Sequence, residues 1–123
     1  MPLNVTSKEK EPGVFVVSSN GSLDTNTYSI LEKQVDSILE GSPRVIIFDM
    51  EYLNYISSMG VRVILKSRKL LEKRGGNIVL LNLKPHIKKV FDIINALPSE
   101  QVFSSVEEMD RYLDRMQRKV TED

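Results

Sequence analysis

Apolar residues follow two different periods along the chain, and the changes of period predict the order of strands and helices. The β-branched runs "LNVTS" and "VFVVS", joined by "KEKEPG", predict an antiparallel hairpin. Apolar residues at three- and four-residue steps then predict a helix from Thr25 to Glu40, with Asp24 as its N-cap. The nearly continuous runs "RVIIFDM" and "IVLLNL" predict interior strands, the first covered on both faces.

Further helical spacing follows each of these two strands and continues to the end of the chain. One helix has its apolar stripe at Val61, Ile64, Leu65 and Leu71 and ends at "RGGN", and two more are predicted in "PHIKKVFDIINAL" and "SVEEMDRYLDRMQ". Between the last two, "QVF" predicts a short strand. We therefore expect one α/β domain over residues 1–123, with a core from about 3 to 117. The domain should contain a mixed, mostly parallel sheet of four to five strands, together with about four helices.

Three segments that follow the parallel strands are predicted to meet at one edge of the sheet, where ligands and partners usually bind. They are "NGSLD", "EYLNYISS" and "NLKPH". This arrangement would bring Asp24 and Asp49 close to the serine pair Ser57 and Ser58. A serine at a helix start is either an N-cap or a good position for a phosphate, because the first backbone amides and the helix dipole favour negative charge. The spacing alone allows both.

Composition excludes several classes of function. The chain has 17 basic and 17 acidic residues, so its charge gives no reason to expect direct binding of nucleic acid or of an anionic membrane. It contains no cysteine, which excludes disulfides and thiolate chemistry. No apolar run approaches the roughly 20 residues that span a bilayer, and "MPLNVTSKEK" lacks the features of a signal peptide. We expect a cytoplasmic protein.

Catalytic motifs are also missing from the sequence. The glycine segment "GSLDTNT" does not match the phosphate-binding GxxxxGK[ST] loop, and there is no GxSxG elbow. The single histidine, His86, stands in "KPHIKK" and is predicted to be solvated in the first turn of its helix. We therefore expect no enzyme activity, no catalytic residues, no metal site and no cofactor.

Two motifs and the order of elements resemble one known family. "GSLD" before the first helix, and "DMEYLNYISSMGVRVIL" across strand, loop and helix, are similar to the STAS domain of anti-sigma factor antagonists. The resemblance covers nearly the whole chain. Family members typically carry G-E-L-D and an Asp-Ser-Ser/Ala-Gly-Leu-Gly-like segment, in which the serine after the aspartate accepts a phosphate. Alignment without gaps on Gly60 puts Ser58 at that phosphoacceptor position. Ser57 stands where many members have aspartate, and Met59 where the residue is usually small.

The resemblance implies a regulator of transcription that exchanges partners. Without phosphate it would bind an anti-sigma factor that has serine kinase activity, phosphorylation of Ser58 would release it, and a serine phosphatase would restore binding. Its implied partner-binding residues are Asp24, Asp49, Ser57, Met59, Gly60 and Arg62. An alternative stays open: a STAS domain that phosphate never switches, acting as a scaffold or as a small-ligand sensor.

Overall fold

The computed structural model describes residues 2–96 and, near the C-terminal end, residues 111, 114, 115, 117 and 118, all five of which are helical. The regular elements of residues 2–96 alternate as the apolar pattern predicts. In chain order they are β1 (Leu3–Glu11), β2 (Val14–Leu23), α1 (Tyr28–Leu39), β3 (Val45–Ile56), α2 (Ser58–Lys73), β4 (Asn77–Leu81) and α3 (Pro85–Ala96).

The strands form one mixed sheet in the order β1-β2-β3-β4. The hairpin pair β1 and β2 is antiparallel, whereas β2 with β3 and β3 with β4 are parallel. The predicted single α/β domain with a mostly parallel sheet is therefore confirmed. The predicted strand "QVF" lies outside the described residues, as does most of the predicted last helix. None of the helices in the described part is long and apolar enough to cross a membrane.

One core lies between a single face of the sheet and the helices. It joins Ile46 and Phe48 of β3 to Leu31 of α1, Ile64 of α2 and Ile87 of α3. These side chains are at most 1% exposed, which is the environment in which apolar burial contributes most to stability.

The other face of the sheet corrects two expectations from the sequence. Val45 and Ile47 of β3 are only half-buried, so "RVIIFDM" is not covered equally on both faces. On the neighbouring β4, Val79 and Leu81 are 39% and 42% exposed. β4 is therefore not covered on both faces. Among the described strands it pairs only with β3, and its pairing with the predicted strand "QVF" lies outside the described residues.

β3 is longer than predicted, because it continues through residues 51–56, which were expected to form a loop. Its register against β2 shifts between Ser18 and Asn20 and again between Gly21 and Ser22. Such bulges break the two-residue alternation, so the fully buried Leu53 and Ile56 are three residues apart and do not show a strand pattern. The last β3 residue paired with β4 is Asp49. Residues 50–56, here called the β3 extension, therefore continue beyond β4.

Candidate functional site

The serine pair lies where the β3 extension becomes α2. Ser57 is extended, with φ −93° and ψ 173°, and is the N-cap of the helix: its Oγ accepts a hydrogen bond from the Gly60 amide at 3.4 Å. The Ser57 amide donates to the Leu23 carbonyl at 2.8 Å, which ties the helix start to the end of β2. Ser58 is the first residue of α2. The cap and the candidate phosphoacceptor are thus two different serines, each with its own position in the first turn.

Both serines are covered. Ser58 is 1% exposed and Ser57 is 4% exposed. Ser58 precedes Leu65 by seven residues and therefore shares its side of the helix. Leu65 lines one groove together with Phe91 of α3, so Ser58 lies on the side of α2 that faces α3 and not on the side that faces α1.

Asp24 lies beside the serine pair, as predicted: Asp24 and Ser57 line the same surface depression, together with Tyr55. Its role as a cap needs a correction. α1 begins at Tyr28 and its N-cap is Thr27, whose side chain makes no cap hydrogen bond. The Asp24 carboxylate instead caps the preceding turn, accepting from the amides of Asn26 at 2.8 Å and Thr27 at 3.0 Å.

Gly60 allows close packing of α2 on the sheet. A Cβ at this position would lie 2.7 Å from Leu23 Cγ and 2.9 Å from Ile56 Cγ1. These distances are shorter than van der Waals contact, so the glycine is needed where the helix meets the ends of β2 and β3. Met59 is half-buried and Arg62 is exposed. Of these three predicted partner-binding residues, Met59 and Arg62 are available at the surface and Gly60 is buried.

Asp49 does not lie beside the serine pair, and that expectation is wrong. Asp49 pairs with Ser18, whereas Ile56 pairs with Leu23, five residues further along β2. At about 3.3 Å per residue the separation along the strand is roughly 16 Å. The Asp49 carboxylate accepts from the Glu51 amide at 3.1 Å and from Asn82 Nδ2 at 3.2 Å. The unpredicted length of β3 is the reason for the error.

The third predicted segment, "NLKPH", does reach this edge of the sheet, where it contacts the β3 extension at Asn54. His86 Nε2–H donates to the Asn54 carbonyl at 2.8 Å, and Lys84 Nζ donates to Asn54 Oδ1 at 2.6 Å. His86 is only 8% exposed, so the prediction of a solvated histidine is wrong. It occupies a position where β4 no longer supplies hydrogen bonds to β3.

Residues near the C-terminal end also contact the β3 extension, and sequence reasoning missed them. Gln117 is fully buried and hydrogen-bonds both backbone groups of Ile56, while Tyr55 Oη donates to Asp114 Oδ1 at 3.1 Å. Arg111 and Asp114 line the depression that also contains Asp24 and Ser57. The sequence around Gln117 alternates in charge and is typical of a solvated helix face, so it carries no signal of this contact.

Comparison with known proteins identifies the family. The STAS domain family model matches residues 6–109. BtrV of Bordetella bronchiseptica, named as a putative anti-sigma factor antagonist, is 32% identical over 80% of this chain and 85% of its own length. The anti-sigma F factor antagonist of Paenibacillus polymyxa is 27% identical over 69% of this chain and 74% of its own. The chain belongs to the STAS domain family.

Solved structures agree with this assignment. The anti-sigma factor antagonist SpoIIAA in its unphosphorylated form has a TM-score of 0.64 and 25% identity, over 80% of this chain and 94% of SpoIIAA. The phosphorylated form of SpoIIAA from Bacillus also has a TM-score of 0.64, at 24% identity and with 80% and 96% coverage. The resemblance to STAS domains of anti-sigma factor antagonists is therefore confirmed for both sequence and fold.

Proposed function

We propose that this protein is an anti-sigma factor antagonist that works by exchanging partners. Without phosphate it binds an anti-sigma factor that has serine kinase activity, and so frees a sigma factor for transcription in the cytoplasm. The kinase transfers the γ-phosphoryl group of ATP to Ser58 Oγ, the hydroxyl proton passes to a base of the kinase, and ADP leaves. A serine phosphatase later hydrolyses the ester and restores binding. This chain is then a substrate and a ligand, not an enzyme.

The observation that carries the proposal is the position of Ser58 in the first turn of α2, immediately after the N-cap Ser57. The motif resemblance, aligned without gaps on Gly60, puts Ser58 at the position at which family members accept phosphate. The names of the relatives and the two solved forms of SpoIIAA support the same interpretation. A helix start can hold a phosphate without loss of the fold, since the first-turn amides and the dipole favour negative charge.

The surroundings of Ser58 explain how phosphorylation would end binding. A phosphate adds about −1.5 to −2 charge. Asp24 lines the depression next to Ser57, so the new charge would join an existing carboxylate on the surface that the partner contacts. We assign that surface to Asp24, Ser57, Met59 and Arg62. Gly60 is buried and contributes by allowing α2 to pack closely on the ends of β2 and β3. We leave Asp49 out because the strand register separates it from the serines.

A second function is favoured by one observation. Ser58 is 1% exposed, and a kinase cannot reach a hydroxyl that is covered in this way without a local opening. A STAS domain that is never switched by phosphate, acting as a scaffold or a small-ligand sensor, would have no need for that opening.

Intact-mass spectrometry of the protein purified from its own cells under several growth conditions distinguishes the two functions. Partner switching predicts a species with one phosphate, which peptide fragmentation maps to Ser58. An unphosphorylated protein under every condition, including those in which the associated sigma factor is active and inactive, would favour the scaffold and contradict our proposal.

A further inference from the structure

The edge of the β3 extension is filled by a side chain where a fifth strand could otherwise pair. Beyond Asp49, β4 no longer pairs with β3. At the end of the extension the Ile56 amide donates to Gln117 Oε1 at 2.9 Å, and Gln117 Nε2 donates to the Ile56 carbonyl at 2.7 Å. One carboxamide thus satisfies both backbone groups of one residue, as a neighbouring strand would. Gln117 is 0% exposed, so the pair of bonds is shielded from water.

Two other described residues near the C-terminal end, Arg111 and Asp114, lie next to Ser57. Asp114 accepts from Tyr55 Oη at 3.1 Å. Arg111 and Asp114 line the same depression as Ser57 and Asp24. Ile56 and Ser58 are separated only by the N-cap Ser57, and Ser58 is buried. The contacts to Tyr55 and Ile56 therefore hold Asp114 and Gln117 within a few residues of the proposed phosphoacceptor along the chain.

We propose that Arg111, Asp114 and Gln117, here called the clamp, control access to Ser58 through their contacts with the end of β3. When the clamp is closed, as in this structure, Ser58 is protected from the kinase. When the Gln117–Ile56 bonds break, the end of β3 and the first turn of α2 become accessible while the sheet stays folded. The proposal rests on the proposed function, because it concerns regulation of the same serine.

The clamp can open without unfolding the domain. Opening moves the Ile56 backbone groups and the Gln117 carboxamide into water, where they regain hydrogen bonds, so each bond contributes only its small net stabilisation. The Ser57 amide keeps its bond to the Leu23 carbonyl, and the core between the sheet and α1 is not involved. Local openings of this kind lie at the low end of the range of stabilities within a folded protein.

Thiol labelling tests the clamp without any kinase. Since the chain has no cysteine, Ser58→Cys introduces a single thiol, and its rate of reaction with a small aromatic disulfide reagent measures access to position 58. Arg62→Cys, one turn further and exposed, is the reference. A helix start favours the reactive thiolate, so slow reaction at position 58 would report burial and not poor chemistry. We expect the thiol at position 58 to react at least about tenfold more slowly than the thiol at position 62, because only the open state reacts.

Adding Gln117→Met to each cysteine variant tests whether the clamp causes the protection. Methionine has a similar length and cannot form either bond to Ile56. We expect the reaction at position 58 to accelerate about tenfold, the factor that corresponds to losing one or two net hydrogen bonds, with the rate at position 62 unchanged. Tyr55→Phe, which removes the bond to Asp114, should accelerate the reaction at position 58 by a smaller factor.

Arg74→Met is the matched control, because it removes a side-chain bond to the Leu39 carbonyl at the far ends of α1 and α2. It should leave the labelling rate at position 58 unchanged. Equal rates at positions 58 and 62 in the parent background, no acceleration by Gln117→Met, or equal acceleration by Arg74→Met would each overturn the clamp. These results are independent of whether Ser58 is ever phosphorylated, so the clamp and the proposed function can fail separately.

Discussion

The two halves of β3 are held in different ways. Residues 45–49 pair with β2 on one side and β4 on the other, so backbone hydrogen bonds define both edges. Residues 50–56 pair with β2 only among the described strands, and side chains occupy the other edge: His86 at Asn54 and Gln117 at Ile56. The first half depends on backbone pairing that most sequences can make. The second depends on a few particular side chains, and it is the half that leads into the serine pair.

This difference predicts where substitutions affect stability and where they affect function. Changes in the first half should lower the free energy of unfolding of the whole domain. Changes at the edge of the second half should cost less stability but should alter access to the start of α2.

Phe48→Ala should destabilise the domain by about 3–5 kcal/mol, because it removes a large core side chain and leaves a cavity. Phe48 is 1% exposed and lies in the half of β3 that is paired on both sides. Tyr52→Ala, in the second half, is the control: Tyr52 is 62% exposed, and its loss should change stability by no more than about 0.5 kcal/mol. Urea unfolding measures both. Similar losses for the two variants would contradict the division.

Gly60→Ala should cost about 1–3 kcal/mol through overpacking against Leu23 and Ile56. Gly41→Ala is a matched control, since a Cβ there would meet only the Ile38 carbonyl oxygen at an ordinary 3.5 Å. Denaturant midpoints compare the two proteins directly. If Gly60→Ala is as stable as Gly41→Ala, then α2 does not pack on the ends of β2 and β3 as closely as described.

His86→Ala should cost about 0.5–1.5 kcal/mol, because the Asn54 carbonyl loses its donor at this edge of β3. Lys88→Ala on the same helix removes only an exposed ion pair with Asp92 and should cost less than about 0.5 kcal/mol. Thermal melts of both variants, with backbone amide exchange near Asn54, provide the measurement. Unchanged exchange in His86→Ala would show that this edge does not depend on the histidine.

The parts of the fold that follow from regular patterns are predictable from the sequence. The hairpin, the alternation of strands and helices, and the helix start at the serine pair all come from local periodicity and capping residues. The length of β3 could not be predicted, because two bulges place Leu53 and Ile56 out of alternation. The contacts of His86 and Gln117 could not be predicted either, because their partners are backbone groups at a strand edge. That edge exists only in the folded sheet.

The unpredicted length of β3 also explains why the predicted position is right for Asp24 and wrong for Asp49. Asp24 does lie beside the serines, because it directly follows β2, which runs alongside β3 to its end. The prediction for Asp49 assumes that β3 ends near it, and the true strand end lies at Ile56. A sequence pattern identifies which residues carry the chemistry, but the register decides which of them share a surface.

Asp24→Lys should weaken binding to the proposed anti-sigma kinase by about tenfold or more, since it reverses a charge next to Ser57. It should also cost about 0.5–1.5 kcal/mol of stability, because the Asn26 and Thr27 amides lose their acceptor in the turn before α1. Asp24→Asn separates the two effects, because asparagine can still accept from the Asn26 and Thr27 amides and removes only the charge. Glu40→Lys, at the opposite end of α1, should bind like the parent. Calorimetric titration of the folded variants measures these affinities. If both Asp24 variants bind with the affinity of the parent, the partner does not bind the surface that contains Asp24.

We propose that the protein changes partners through Ser58 and not through its neighbour Ser57. The direct measurement is phosphate incorporation by the cognate anti-sigma kinase and ATP, followed by intact mass, for the parent, Ser58→Ala and Ser57→Ala. We expect one phosphate on the parent and none on Ser58→Ala, with binding of the unmodified variant retained. Ser57→Ala should still be phosphorylated, although loss of the N-cap costs it about 1 kcal/mol. Phosphate on Ser58→Ala, or its loss from Ser57→Ala alone, would contradict the claim.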